Sequence, residues 1–249
     1  DFIMFEKLKL TNHSSIMISD DQNINLLTDP WYSDSAFNNG WALLYENTKE
    51  EIEEIISNLK FIFISHEHPD HFSIKFFKDY GYLLKQKNIK VIFQYTLDKR
   101  VENFIKKIGL NMIILEDRKK YKINNTLDIT LFKQGHIDSA FLYETKDFYH
   151  LNINDCNFID KELLDINNFI KDKNKKIIIY IQFSYASFRA DDKWLKAAAQ
   201  YKLDNIIRIN KIFNSSLVIP FASFFYFCHS ENNDLNKFVN KCSYISEFL

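Results

Sequence analysis

The sequence contains few cysteines, no excess of charge of either sign and no long apolar run. Cys156, Cys228 and Cys242 are an odd number and lack the spacing of metal ligands, which argues against a disulfide framework and favours a reducing compartment. The formal net charge of −1 and the pI of about 6.7 argue against the broad basic field that nucleic-acid binding needs. No apolar run reaches the roughly 18 residues that a membrane span needs.

Glycine and proline are also scarce, at 4 and 3 of 249 residues, whereas 46% of the residues are hydrophobic and 16% are aromatic. A chain of this length and apolar content can bury a substantial core, and we expect one domain over residues 1–249. The chain begins at Asp1 and not at Met, which leaves a longer parent protein open. No basic segment followed by an apolar one opens the chain, and with the cysteine count this favours a cytoplasmic protein.

Residues 61–73 are the most informative segment of the sequence. Residues 61–64 are aromatic or β-branched, uncharged and too short for a helix, which predicts a buried strand. Four potential metal ligands follow within six residues, and Pro69 prevents a helix from running through them: His66, His68, Asp70 and His71. Imidazoles and a carboxylate at this density suit a divalent transition metal, and the absence of cysteine argues against a closed structural zinc site.

Outside this segment, amphipathic helices alternate with short apolar strands. We expect helices at residues 47–60, 74–86, 97–108, 161–171 and 194–213, and strands at residues 5–10, 15–18, 25–28, 61–64, 90–94, 112–115, 127–132, 148–153, 176–182 and 216–220. His13 lies near a hairpin turn and is interpreted first as a turn residue, with a place at the rim of a site as the alternative. His150 lies inside a strand and is interpreted as a packed or surface histidine.

The order His-x-His-x-Asp-His behind a buried strand resembles the motif of the metallo-β-lactamase superfamily. The resemblance implies an α/β fold, an αββα sandwich of two mixed β-sheets flanked by helices, with the site at one edge between the sheets. It also implies that the first histidine pair binds one metal and the Asp-His pair a second, with zinc or iron as the two divalent cations. Residues 28–31, 36–41, 182–186 and 219–224 are similar to the branch of this superfamily that includes the metallo-β-lactamase-like domain of CMP-N-acetylneuraminate hydroxylase. The Cys/His ligand pairs of that enzyme's Rieske domain are not found in this sequence.

The resemblance implies further ligands in the second half of the chain. His136 lies on a Gly-His turn after a strand, so His66, His68 and His136 are expected to converge on one metal. Asp155 follows the strand at residues 148–153 and is expected to bind metal as well.

Two other positions are given roles by the resemblance. Asp29, at the end of the strand at residues 25–28, is expected to support a ligating histidine from behind. The superfamily usually has a terminal histidine just after the strand that here ends at Pro220, but residues 221–223 are Phe, Ala and Ser. His229 either replaces that ligand or is unrelated to the site.

Two loops carry candidate substrate-binding residues. Residues 31–41 combine two tryptophans with two adjacent carboxamides, and residues 183–189 follow another predicted strand, which gives the candidates Trp31, Asn38, Asn39, Trp41, Tyr185 and Arg189. The tryptophans can equally cap a core, and Arg189 can equally pair with the aspartates that follow it on a helix. If the first interpretation holds, Arg189 anchors a phosphate or carboxylate.

The favoured function is metal-assisted hydrolysis of an ester, amide, lactone or phosphodiester bond in a polar small molecule, in which Asp70 orients the metal-bound hydroxide. Two alternatives use the same residues. One is a di-iron oxygenase or hydroxylase acting on a nucleotide-sugar-like substrate, and the other is a degenerate metal-binding module. The motif does not separate them.

Overall fold

The computed structural model describes residues 6–20, 24–187 and 190–245. Its strands are β1 (Lys7–Asn12), β2 (Ser15–Ser19), β3 (Leu26–Thr28), β4 (Trp41–Leu43), β5 (Phe61–Phe63), β6 (Lys90–Gln94), β7 (Asn111–Leu115), β8 (Lys120–Lys122), β9 (Asp128–Gln134), β10 (Asp138–Glu144), β11 (Phe148–Asn154), β12 (Lys176–Gln182), β13 (Leu217–Phe221) and β14 (Phe225–Phe227). Its α-helices are α1 (Lys49–Ser57), α2 (Ile74–Gln86), α3 (Arg100–Lys107), α4 (Asp160–Asn167), α5 (Asp192–Phe213) and α6 (Cys242–Ile245), with a 3₁₀ helix at Asn233–Phe238.

Two six-stranded mixed sheets form the body of the protein. The first has the strand order β1-β2-β3-β5-β6-β7, antiparallel from β1 to β3 and parallel from β3 onward. The second has the order β13-β12-β11-β10-β9-β8, in which β11, β12 and β13 are parallel and the rest antiparallel. A separate ribbon pairs β4 with β14.

Strand β5 is apolar at every position because both of its faces are covered. Phe61 and Phe63 face the second sheet and pack in the core between the two sheets. Ile62 and Ile64 face the other way and pack against α1, α2 and α3. Because successive side chains of a strand point to opposite faces, a strand covered on both faces is apolar throughout.

Helices α4 and α5 cover the outer face of the second sheet in the same manner. Leu163 of α4 and Ile206 of α5 belong to one core with Leu151 and Ile179 of the strands beneath them. The layers are therefore helix, sheet, sheet and helix, which confirms the predicted αββα class. In the described part of the chain no helix is both long enough and apolar enough to cross a membrane.

Helix α1 begins with a capping box. The hydroxyl of Thr48 accepts a hydrogen bond from the Glu51 backbone N–H at 3.2 Å, and the Glu51 carboxylate accepts one from the Thr48 backbone N–H at 2.9 Å. This capping box satisfies two backbone donors at the helix start. It also shows that the glutamates of this helix serve its solvated end and not an acid–base pair.

Candidate metal centre

The histidine loop begins where β5 ends and finishes where α2 begins. The backbone N–H groups of His71 and Phe72 both donate to the carbonyl of His68, at 3.0 and 2.7 Å. Ser73 then caps α2 by accepting from the Phe76 backbone N–H at 3.2 Å. The tight turn over residues 68–72, followed at once by a capped helix, fixes the ligands at the edge of the sheet.

Three groups of potential ligand atoms lie at this edge, and in each group the atoms are within 4.8 Å of one another. Each group has two histidines and one aspartate: His66 with His68 and Asp138, His66 with His71 and Asp155, and His13 with Asp70 and His71. The first and last groups share no residue. Asp155 lies between them, since its Oδ2 is 3.8 Å from His66 Nε2 and 4.0 Å from His71 Nε2. The arrangement has room for two metals with one carboxylate between them.

Several of these atoms are buried and lack a hydrogen-bond partner within the described part of the chain. They are the Oδ1 atoms of Asp70, Asp138 and Asp155 and both ring nitrogens of His13. Burying polar atoms without partners costs free energy, and native proteins rarely leave several unpaired in one place. A bound cation would satisfy them, so the donor set fits a divalent metal.

Burial and mutual charge set the protonation of the cluster. Burial lowers the pKa of His66 to about 3, which keeps its imidazole neutral as metal binding requires. Burial opposes charge on Asp70 as well, but the neighbouring His71 and His13 outweigh it and hold the pKa of Asp70 well below its usual range. Burial also disfavours the cationic form of His71, yet Asp70 and Asp155 outweigh it and raise the His71 pKa well above its ordinary value.

Asp29 and Ser65 hold the ligands from behind. Asp29 Oδ2 lies 3.0 Å from His71 Nδ1, and Asp29 Oδ1 accepts the Ser65 backbone N–H at 2.7 Å. Ser65 Oγ lies 3.0 Å from His66 Nδ1 and 3.2 Å from His71 Nδ1. These contacts engage the Nδ1 atoms and leave Nε2 of both rings directed at the cluster. Fixing the tautomer in this way is a usual task of residues behind metal ligands.

Replacing Asp29 with Asn is expected to weaken metal binding about 10- to 100-fold, because the neutral amide no longer holds the His71 ring through a charged contact. Competition with a fluorescent chelator measures the dissociation constant. Asp34→Asn is the matched control, since Asp34 is exposed in the same loop. Equal metal affinity in the two variants would show that Asp29 only shapes the loop.

The structure brings His66, His68, Asp70, His71 and Asp155 together, but it does not bring His136 to them. His136 is exposed at the tip of the turn between β9 and β10 and belongs to none of the three groups. The expected convergence of three histidines is therefore not seen, and Asp138 stands beside His66 and His68 instead. The register pairs Asp138 with Gln134, so residues 135–137 form the hairpin turn and Asp138 is the first residue of β10.

His229 is likewise exposed and lies apart from the three groups. Its Nδ1 accepts the Glu231 backbone N–H at 3.2 Å, which makes it part of a local turn. His13 stands near the segment where a terminal histidine was expected: the Ala222 backbone N–H donates to the His13 carbonyl at 2.6 Å. His13 Nε2 lies 3.4 Å from Asp70 Oδ2.

His13 lies in the hairpin turn between β1 and β2, as interpreted first, and it also stands at the cluster, which only the alternative interpretation placed near a site. The ring is 1% exposed and packs edge-on against Trp31, with centroids 5.3 Å apart. The only sequence signal was a histidine between two polar residues at a hairpin turn, a pattern that surface turns share. His150 is buried as interpreted, with Nδ1 2.7 Å from the Tyr180 hydroxyl.

A cavity of about 280 Å³ opens beside the cluster and is lined by Phe37, Trp41, His68, Asp70, Asp155, Ala186 and Ser187. Trp41 lines it while stacking on Phe225 at 3.8 Å between centroids. Trp31 is buried behind His13 and donates its Nε1–H to the Asp34 carbonyl at 3.2 Å.

The other predicted pocket residues lie elsewhere. Asn38 and Asn39 are exposed with φ of 53° and 62°, so they form a left-handed turn, a conformation that asparagine tolerates. Tyr185 is buried and donates its hydroxyl to the Leu235 carbonyl, which places it in the core beneath the β4–β14 ribbon. Arg189 lies outside the described residues.

Comparison with known proteins agrees with the fold. Residues 7–154, more than half of the chain, match the beta-lactamase superfamily domain, and the chain belongs to this superfamily. It is 25% identical over 137 residues to cytidine monophosphate-N-acetylneuraminic acid hydroxylase of Danio rerio, a match that covers 53% of this chain and 22% of that protein.

Solved structures show the same fold. The CmlA beta-hydroxylase E377D mutant superimposes with a TM-score of 0.63 at 12% identity, covering 87% of this chain and 46% of that one. The metallo-beta-lactamase fold protein YhfI of Bacillus subtilis gives a TM-score of 0.58 at 13% identity, covering 85% and 78%. This chain thus has the metallo-β-lactamase fold. It spans under a quarter of the length of the Danio rerio protein and about half of the length of the CmlA beta-hydroxylase chain.

Proposed function

We propose that this protein is a metal-dependent hydrolase with two divalent cations at the edge between its sheets. His66, His68 and Asp138 would hold one cation, and His13, Asp70 and His71 the other. Asp155 would contact both, since its Oδ2 is within 4.0 Å of His66 Nε2 and His71 Nε2. The unpartnered carboxylate and imidazole atoms at these positions support the assignment.

The position of Asp70 is the observation that supports a hydrolytic reaction. It lines the 280 Å³ cavity, is held ionised by His71 and His13, and has one buried oxygen without a partner among the described residues. Such a carboxylate can accept a hydrogen bond from water and aim the water's oxygen into the cavity. When bound, a metal pair lowers the pKa of water towards about 7 and stabilises the charge that develops on the substrate oxygen.

The cavity favours a small polar substrate with one flat or apolar face. Phe37 and Trp41 supply an aromatic wall with ring centroids 4.5 Å apart, and His68, Asp70 and Asp155 supply the polar wall. The name of the Danio rerio relative refers to a sugar acid linked to cytidine monophosphate. A sugar- or nucleotide-linked substrate is consistent with the lining of the cavity and with the name of this relative.

A second candidate, an oxygenase, is favoured by the donor set. All three groups combine two histidines with one aspartate, the ligand set typical of non-haem iron(II) oxygenases. The curated relative and one structural neighbour are both named as hydroxylases. Hydroxylation would require dioxygen and two electrons from a separate reductant, whereas hydrolysis requires only water, and this places hydrolysis first.

Metal content and reaction type together test the proposal. Protein purified without added metal is expected to contain about two equivalents of zinc or iron by elemental analysis, and His13→Ala about one, because His13 belongs only to the group with Asp70 and His71. The protein is then offered a panel of esters, lactones and phosphodiesters without oxygen. Turnover of any of them supports hydrolysis. Oxygen uptake with a chemical reductant but no anaerobic turnover would favour the oxygenase, and protein that binds no metal would overturn both.

A further inference from the structure

A second cavity, of about 320 Å³, is lined by residues that neighbour the candidate ligands along the chain. Glu67, which lines it, lies between His66 and His68 in the chain. Residues 135–137 line it as well and lead directly into Asp138. This cavity therefore adjoins the segments that carry His66, His68 and Asp138, the proposed ligands of one cation.

Gln94 gives this cavity a polar wall with an unmet hydrogen bond. The side chain is 1% exposed, and its amide donates to the Ser65 carbonyl at 3.1 Å and the Ile137 carbonyl at 2.5 Å. These two bonds fix the orientation of the amide. Its Oε1 is buried and has no partner among the described residues. A buried acceptor held in this way is suited to an O–H or N–H donor of a ligand.

Lys133 gives the cavity a positive charge. The other cation in its wall, Arg100, is neutralised because its Nε donates to Asp98 at 2.7 Å and its guanidinium also contacts Glu67. Lys133 instead donates to the Tyr95 carbonyl, and none of the ion pairs found in the described ranges includes it. Its charge is therefore open to an anionic ligand.

We propose that this second cavity is a substrate subsite for a hydroxylated anionic moiety, a carboxylate or phosphate monoester on a polyol. Lys133 would pair with the anion, and Gln94 Oε1 would accept a hydrogen bond from a neighbouring hydroxyl. As a substrate subsite it rests on the proposed function. It also gives exposed His136, which lines this cavity, a position at the substrate and not on a metal.

Calorimetric titration of the purified protein with glucose, glucuronate and glucose 6-phosphate tests the subsite. At least one of the two anions is expected to bind at least about tenfold more tightly than glucose, and which one binds identifies carboxylate or phosphate as the charge. Lys133→Met is expected to abolish the roughly tenfold preference for the anion over glucose, whereas Lys133→Arg retains this preference. Lys133→Gln, which can still donate to the Tyr95 carbonyl, replaces the Met variant if that variant does not fold.

Lys161→Met is the matched control, because Lys161 is exposed on α4 and lines neither cavity. Equal binding of all three sugars, or equal losses in the Lys133 and Lys161 variants, would overturn the subsite. Anions held only by a metal would bind the Lys133 variants as tightly as the unmodified protein, which also overturns it. Protein that takes up no metal but still binds an anion through Lys133 would retain the anion site and refute the metal enzyme, so the two failures are distinguishable.

Discussion

Replacing His66 with Ala is expected to strip the protein of most of its metal and lower activity by more than about 100-fold, beyond the loss typical for a residue behind the ligands. His66 belongs to two of the three ligand groups, with Nε2 3.8 Å from Asp138 Oδ1 and from Asp155 Oδ2. One substitution therefore removes a ligand of one proposed cation position and a neighbour of Asp155, the carboxylate proposed to contact both. Elemental analysis and turnover of the best substrate measure the two effects.

The same variant is expected to stay folded, because the cores of the two sheets are apolar and continuous without the cluster. Thermal unfolding followed by circular dichroism should remain cooperative. His229→Ala is the control, since His229 is exposed and outside the three groups. If the control lost metal while His66→Ala kept it, the ligand assignment would be wrong. Loss of cooperative unfolding in His66→Ala would show that the metal is structural.

Replacing Phe63 with Ala is expected to destabilise the protein by about 3–5 kcal/mol, the usual range for a buried phenylalanine. Phe63 is fully buried between the sheets, where its ring centroid lies 3.5 Å from that of Phe141 and 5.6 Å from that of Tyr143. For a chain of this size the melting temperature should fall by about 10 °C. Denaturant titration gives the free energy of unfolding.

Tyr82→Ala provides the comparison for Phe63. Tyr82 lies on α2 and is 75% exposed, so its removal should change stability by no more than about 0.5 kcal/mol. A similar loss in both variants would contradict the placement of Phe63 in the core between the sheets.

Local sequence was sufficient where the site is built from neighbouring residues. The strand β5, the turn at Pro69 and the four potential metal ligands between residues 66 and 71 follow from residue types over 13 positions. These features depend on backbone geometry and side-chain period, which short segments carry by themselves.

Strand register decided which residue after β9 approaches His66. The strand β10 at Asp138–Glu144 is not among those predicted from the sequence. Pairing of β9 with β10 places His136 at the exposed tip and Asp138 at the first strand position. A shift of two residues separates the two outcomes, and element boundaries read from sequence are less certain than that.

Long-range packing decided the rest of the site. His13 reaches Asp70 across 57 residues of sequence because β1 and β2 pair beside β3 at the edge of the first sheet, and because Ala222 of the second sheet donates to its carbonyl. The sequence by itself determined the fold class, the buried strand and the chemical character of the centre. Only the tertiary structure decided that His13 and Asp138 stand at the cluster while His136 and His229 do not, because spacing along a chain fixes local proximity and not which distant segments meet.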